Sequence, residues 1–179
     1  MAVIDSYTVS LANRSIVTIR SAEEKDAAPL LELTAEGRFQ LTAIDEFQIT
    51  LEEEKTWIRY MAGESNSLIL VADVGGEIIG MLDVHGGKKK RLRHTGTFGM
   101  SVRKDWRGQG VGSLLFNQLI NWAALHPELE KLCLEVLAAN HRAIRLYRKV
   151  GFSEEGRLLK QVRREDGSYT DLIQMGRFL

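Results

Sequence analysis

The chain has 179 residues, 44% hydrophobic and 27% charged, with 24 basic residues balancing 24 acidic ones. That length suits one domain with a substantial core. The zero net charge argues against broad nucleic-acid binding driven by phosphate neutralisation. The single cysteine, Cys133, leaves no internal disulfide and no thiolate metal cluster, and in the apolar run "KLCLEVL" it is expected to be a buried small hydrophobe. The longest apolar stretches, such as "LILVA", are too short to span a bilayer, and residues 1–14 lack the basic start and apolar run of a secretory signal. A cytoplasmic protein without membrane association is expected.

In chain order, "SIVTIR" reads as a strand, and Ala27, Leu30, Leu31 and Leu33 suit a helix. A second helix fits "TLEEEKTWIRYMAG", with Leu51, Trp57, Ile58 and Met61 on or near one face. In "SLILVADVGGEIIGMLDVHG", two β-rich runs flank Gly75 and Gly76, which accept the positive φ of a hairpin turn. After the charged run "KKKRLR", expected to be a solvated hairpin tip, "TGTFGMSV" is another strand. A helix from about Gly110 to Ala124 places Val111, Leu114, Leu115, Gln118, Leu119 and Trp122 along a stripe. "KLCLEVLA" is a short apolar strand suited to a covered sheet. "NHRAIRLYRKVGF" is a helix with Asn140 as N-cap and Gly151 past its end. Two strands joined by Asp166 and Gly167 complete an α/β chain with a mixed sheet.

Gly108, Gly110 and Gly112 alternate directly before the helix, although glycine costs roughly 1 kcal/mol against alanine inside one. A helix N-terminus carries free N–H groups and a partial positive charge, and glycines there let an anion approach the backbone. The alternative is a tight turn with close helix–strand packing. A Walker loop is excluded because Gly112 precedes Ser113 and Leu114 rather than Lys-Ser/Thr. A dinucleotide fingerprint is excluded by the G-x-G-x-G spacing and by "RKDW" between strand and glycines.

"MSVRKDWRGQGVGSLL" resembles the acetyl-coenzyme A signature of the GNAT superfamily of N-acetyltransferases, Arg/Gln-x-x-Gly-x-Gly/Ala, here on Arg107, Gly110 and Gly112. "LEVLAANHRAIRLYRKVGF" resembles the second conserved block of that family, and is similar to the ribosomal-protein alanine N-acetyltransferases. The resemblance spans residues 15–179, expected to be one domain after an N-terminal extension over 1–14. It implies a GNAT-like acyltransferase fold of about seven strands with helices on both faces. It also implies acetyl-coenzyme A as cosubstrate, while the histidine spacing leads to the expectation of no metal.

The resemblance further implies that Met100, Ser101 and Val102 offer backbone groups to the pantetheine arm. Backbone N–H groups of Arg107, Gly108, Gln109, Gly110, Val111, Gly112 and Ser113 would hold the pyrophosphate, and Asn140 would contact the coenzyme. Tyr147 stands where family members place the acid that protonates the departing thiolate, though its helical face also suits a core aromatic. Glu135 interrupts an apolar strand, and an unpaired carboxylate there must be paired, solvated in a cleft or shifted in pKa. It is a candidate base, with a positioning role as the alternative.

The acceptor is expected to be a primary amine of a small molecule or a protein N-terminus. Glu52, Glu53 and Glu54, with Asp45 and Glu46, could attract a cationic amine, although a solvated helix face explains them as well. His85, His94, His126 and His141 show no metal-ligand spacing. Two further classes stay open: a coenzyme A-binding sensor without turnover, and an RNA-associated protein using Lys88, Lys89, Lys90 and Arg91. The family resemblance is also compatible with a homodimer.

Overall fold

The computed structural model describes residues 4–36 and 49–179. Asp45 and Glu46 lie outside the described residues. In chain order the elements are β1 (Tyr7–Ser10), β2 (Ile16–Ser21), α1 (Ala27–Glu36), α2 (Leu51–Gly63), β3 (Leu68–Val74) and β4 (Glu77–Gly86). They continue with β5 (Thr95–Val102), α3 (Val111–Leu125), β6 (Lys131–Leu137), α4 (His141–Lys149), β7 (Ser153–Arg163) and β8 (Tyr169–Phe178). The strands form one mixed sheet of eight in the order β1-β2-β3-β4-β5-β6-β8-β7.

Helices cover both faces of the sheet, which explains why β3 is apolar without alternation. On one face α1 and α2 bury Leu30, Leu33, Ile58 and Met61 against Ile69, Val71 and Met81. On the other, α3 buries Leu115, Phe116 and Leu119 against Leu70, Leu82 and Phe98, and α4 adds Ile144 and Tyr147. Along β4, Met81 therefore faces α1 and α2 while Leu82 and Val84 face α3. Asp83, one residue on, shares the α2 side with Met81.

The local signals act as expected. Gly75 and Gly76 turn the β3–β4 hairpin with φ of 62° and 96°, the left-handed pair such a turn requires. Thr50 starts α2 through a capping box: its hydroxyl accepts from the Glu53 N–H at 3.2 Å, and the Glu53 carboxylate accepts from the Thr50 N–H at 2.7 Å. That fixes which side chains of α2 turn inward, namely Glu54, Ile58 and Met61.

Three expectations need amendment. Among the described residues the sheet has eight strands rather than about seven, because residues 7–10 pair antiparallel with β2, Tyr7 opposite Ile19. The buried side of α3 is centred on Leu115 and Leu119 and includes Phe116 and Ala123, while Gln118 and Trp122 are only partly buried. Cys133 is half-buried instead of in the core, because β6 hides Leu132, Leu134 and Val136 on one face and leaves the other more open. "KKKRLR" is exposed along its basic residues and contains a single turn, Lys90–Leu92. No helix among the described residues is long and apolar enough to cross a membrane.

Candidate active site

The central feature is a parting of two strands. β5 and β6 are parallel and pair only from Thr95↔Lys131 to Thr97↔Cys133. Beyond that point β5 stays on β4 as far as Gly80↔Val102, and β6 stays on β8 as far as Leu137↔Leu172. The strands therefore separate at Phe98 and Leu134, leaving a strand edge on each side of a slot. A cavity of about 1510 Å³ occupies that region. It exceeds the roughly 300–1,000 Å³ of an ordinary single-ligand pocket.

One end of the cavity is built from the glycine loop. Gly108 and Gly110 have φ of 86° and 94°, a region that disfavours any side chain. Gly110 is the N-cap of α3, and no side chain caps that helix. The first intrahelical bond runs from the Leu114 N–H to the Gly110 carbonyl at 3.0 Å, so the N–H groups of Val111, Gly112 and Ser113 face no backbone acceptor. Arg107 lines the cavity while donating from Nε to the Val102 carbonyl at 2.8 Å, tying the loop to the end of β5. Arg142 Nη2 lies 3.1 Å from where a Cβ on Gly108 would stand. Open amides, a helix N-terminus and two guanidinium groups fit a pyrophosphate.

Met100, Ser101 and Val102 line the cavity along the edge of β5 beyond its pairing with β6. Gly112 packs against Met100: a Cβ on it would sit 3.4 Å from the Met100 methyl. Asn140 also lines it, and its Oδ1 caps α4 by accepting from the Ala143 N–H at 3.2 Å. Two residues of the expected set have side chains elsewhere. Val111 is buried in the core beneath Gly80. The Gln109 side chain turns back, donating to the Asp105 carbonyl at 2.7 Å and accepting from Asn13 at 2.6 Å. Both can contribute only backbone.

Tyr147 and Glu135 line the same cavity. Tyr147 is 8% exposed and packs its ring among Phe98, Phe152 and Ile144. Burial pushes its phenol up to about 12. Among the described residues no fully buried side-chain polar atom lacks a partner and none bonds the Tyr147 hydroxyl, so that hydroxyl is open to the cavity Tyr147 lines. The side chain is thus both a core aromatic and a cavity hydroxyl. Glu135 is exposed, its Oε1 accepting from Gln174 Nε2 at 3.0 Å on β8. Of the alternatives for this carboxylate, solvation in a cleft with one polar neighbour is what the fold provides.

The far end of the cavity is acidic. Glu54 of α2 and Asp83 of β4 line it together with Trp57. Burial pushes the Glu54 carboxyl up, and the charge of nearby Asp83 adds to that shift. Asp83 Oδ2 lies 3.0 Å from His85 Nε2, and its Oδ1 lies 3.3 Å from where a Cβ on Gly99 would stand. The basic residues lining the cavity, Arg107, Arg142 and Lys149, sit on the glycine loop and α4. The cavity is electrically polarised along its length.

Arg142 and Asp83 were not singled out from sequence, yet each left a trace. Arg142 places a cation in the first turn of α4, where the helix dipole disfavours it without an anion nearby. Asp83 is a carboxylate directly after the apolar run from Ile78 to Leu82 in β4.

Residues 32–152 match the family described as "Acetyltransferase (GNAT) family". The solved structure of a GNAT-family acetyltransferase from Streptococcus pneumoniae is 32% identical, covers 91% of this chain and 99% of its own, and superposes with a TM-score of 0.84. An L-amino acid N-acetyltransferase of Escherichia coli is 28% identical across 91% of this chain and 98% of its own length. A ribosomal-protein-alanine N-acetyltransferase structure from Brucella melitensis is 26% identical over 90% of this chain and 99% of its own, with a TM-score of 0.79. With the match covering most of the chain and the slot and glycine loop in place, the chain belongs to the acetyltransferase (GNAT) family and is an acetyl-coenzyme A-dependent N-acetyltransferase.

Proposed function

We propose that this enzyme passes the acetyl group directly to a primary amine, of a small molecule or a protein N-terminus, where β5 and β6 part. The observation that carries the reading is the slot itself, with open amides at one end and Tyr147 and Glu135 lining it. The amides of residues 111–113, with Arg107 and Arg142, hold the pyrophosphate, and residues 100–102 pair with the pantetheine arm as a strand would. Asn140 lines the same path. Bound there, the coenzyme supplies an activated thioester.

The amine nitrogen bonds to the carbonyl carbon, the carbon–sulfur bond breaks, the nitrogen loses one proton and the sulfur gains one. A lysine-like amine, with pKa about 10.4, is almost wholly protonated at neutral pH, while a peptide α-amine at about 7.7–8.0 is not. Glu135 accepts the amine proton, directly or through water in the open cleft. Tyr147 reaches the sulfur with its proton in place, since its pKa of about 12 keeps it neutral. A thiol ionises near 8.5, so complete transfer from such a phenol is uphill by roughly 5 kcal/mol. Hydrogen-bond donation to the departing sulfur is therefore its main contribution until positive charge on the attacking amine lowers the phenol pKa.

Direct transfer fits the placement of Cys133. It does not line the cavity, and burial pushes its thiol up, so it is a poor acyl-carrying nucleophile. Incubating the protein with acetyl-coenzyme A and polyamines, amino acids, aminoglycosides and N-terminal peptides, with free thiol followed, tests the reading. Acceptor-dependent thiol release supports it. Silence across the panel, with coenzyme binding demonstrated by calorimetry, overturns it in favour of a sensor.

A further inference from the structure

The acidic end of the cavity has an unmatched charge. Glu54 is 6% exposed, its carboxylate has no hydrogen-bond or ion-pair partner among the described residues, and, as no fully buried polar side-chain atom there lacks a partner, that carboxylate reaches the cavity it lines. Asp83 is near enough to oppose its ionisation, and Asp83 Oδ2 meets the His85 imidazole at 3.0 Å. Surrounding cations are engaged elsewhere: Lys55 with Glu52, Arg59 with Glu24, and Arg103 with Glu32 and Glu36. A carboxylate buried without a partner is costly unless a ligand supplies the opposite charge. Trp57, three residues after Glu54 and so on the same side of α2, adds an aromatic ring suited to a cation.

We propose that Glu54 and Asp83, with Trp57 beside them, select an acceptor that carries a second cationic nitrogen and no carboxylate, a di- or polyamine in chemical class. The second cation lies between the two carboxylates while the first nitrogen, uncharged, meets the thioester. The inference rests on the acetyl-transfer reading for the identity of the acceptor. A free amino acid would bring its carboxylate into a region whose lining charges are acidic, and the basic side chains of the cavity stand at its other end. That sets this chain apart in acceptor chemistry from its amino acid-acetylating relative.

The test compares cadaverine with L-lysine, which differs only by its carboxylate. Thiol release with acetyl-coenzyme A measures kcat/KM, and calorimetry on the coenzyme A-loaded protein measures acceptor binding without turnover. Cadaverine should exceed lysine by about 10²-fold in kcat/KM and bind at least tenfold more tightly, as expected for charge pairs away from bulk water. Glu54→Gln and Asp83→Asn should each raise the cadaverine KM about tenfold or more and leave the acetyl-coenzyme A KM unchanged. Asp83→Asn, at a more exposed position, serves if Glu54→Gln does not fold. Lysine used as well as cadaverine, or a cadaverine Kd indifferent to both substitutions, overturns the proposal while leaving acetyl transfer intact. Selective cadaverine binding lost in the variants, without thiol release from any amine, upholds the cation site and overturns the transfer reading.

Discussion

Tyr147 and Phe98 meet edge to face, with ring centroids 5.8 Å apart and planes at 85°. Phe98 is the first residue of β5 beyond its last pairing with β6, so this contact fixes the phenol where the slot opens. Tyr147→Phe keeps the ring contacts and removes only the hydroxyl. It should lower kcat by about 10²-fold, with the acetyl-coenzyme A KM and the Tm nearly unchanged. Steady-state kinetics and a thermal melt check both. An unaltered kcat would remove Tyr147 from the chemistry.

Glu135→Gln preserves the hydrogen bond to Gln174 through amide reorientation but cannot take a proton. The expected result is a kcat/KM loss of about 10²-fold at neutral pH that shrinks as the pH approaches the pKa of the acceptor amine. A pH–rate profile run alongside wild type makes the comparison. A deficit of constant size at every pH would assign Glu135 to positioning.

Gly110 leaves the first turn of α3 open to a ligand. Gly110→Ala adds a side chain at φ +94° and should cost roughly 1–2 kcal/mol of stability from backbone strain alone. Gly110→Asp should carry the same strain and also set a carboxylate against the pyrophosphate site. Its acetyl-coenzyme A KM should exceed that of the alanine variant by about tenfold. Equal KM values in the two variants would mean that the phosphate lies elsewhere.

Glu54 links acceptor binding to stability. Its folded pKa is raised, chiefly by burial and then by Asp83. Its contribution is therefore most favourable below the unfolded value of about 4.3 and is lost as pH rises through the folded value. Glu54→Gln removes that penalty, so its Tm should exceed wild type at pH 7 and the gain should vanish below about pH 4. Melts across that range, without acceptor, would expose the opposite trend if the carboxylate were stabilising.

Features that depend on adjacent residues were legible in the sequence. The Gly75–Gly76 hairpin, the Asn140 cap and the glycine approach to α3 follow from backbone geometry alone. The acidic end of the cavity was legible by halves. The glutamates of α2 could be suspected, but only the packing of that helix over β4 brings Glu54 to Asp83, 29 positions later in the chain. The tie between the Gln109 side chain and Asn13 was not legible for a related reason. Asn13 stands in the turn that follows β1, and the four-residue pairing of β1 with β2 is too short to announce itself in the sequence.

That pairing has a practical reach. Through Asn13 Nδ2 on Gln109 at 2.6 Å and the Tyr7 hydroxyl on the Leu114 carbonyl at 3.3 Å, the segment before β2 braces the loop and the first turn of α3. A loop held in its binding shape beforehand loses less entropy when the nucleotide arrives. Trimming or fusing that segment would thus be felt as weaker coenzyme capture, far along the chain from the cut.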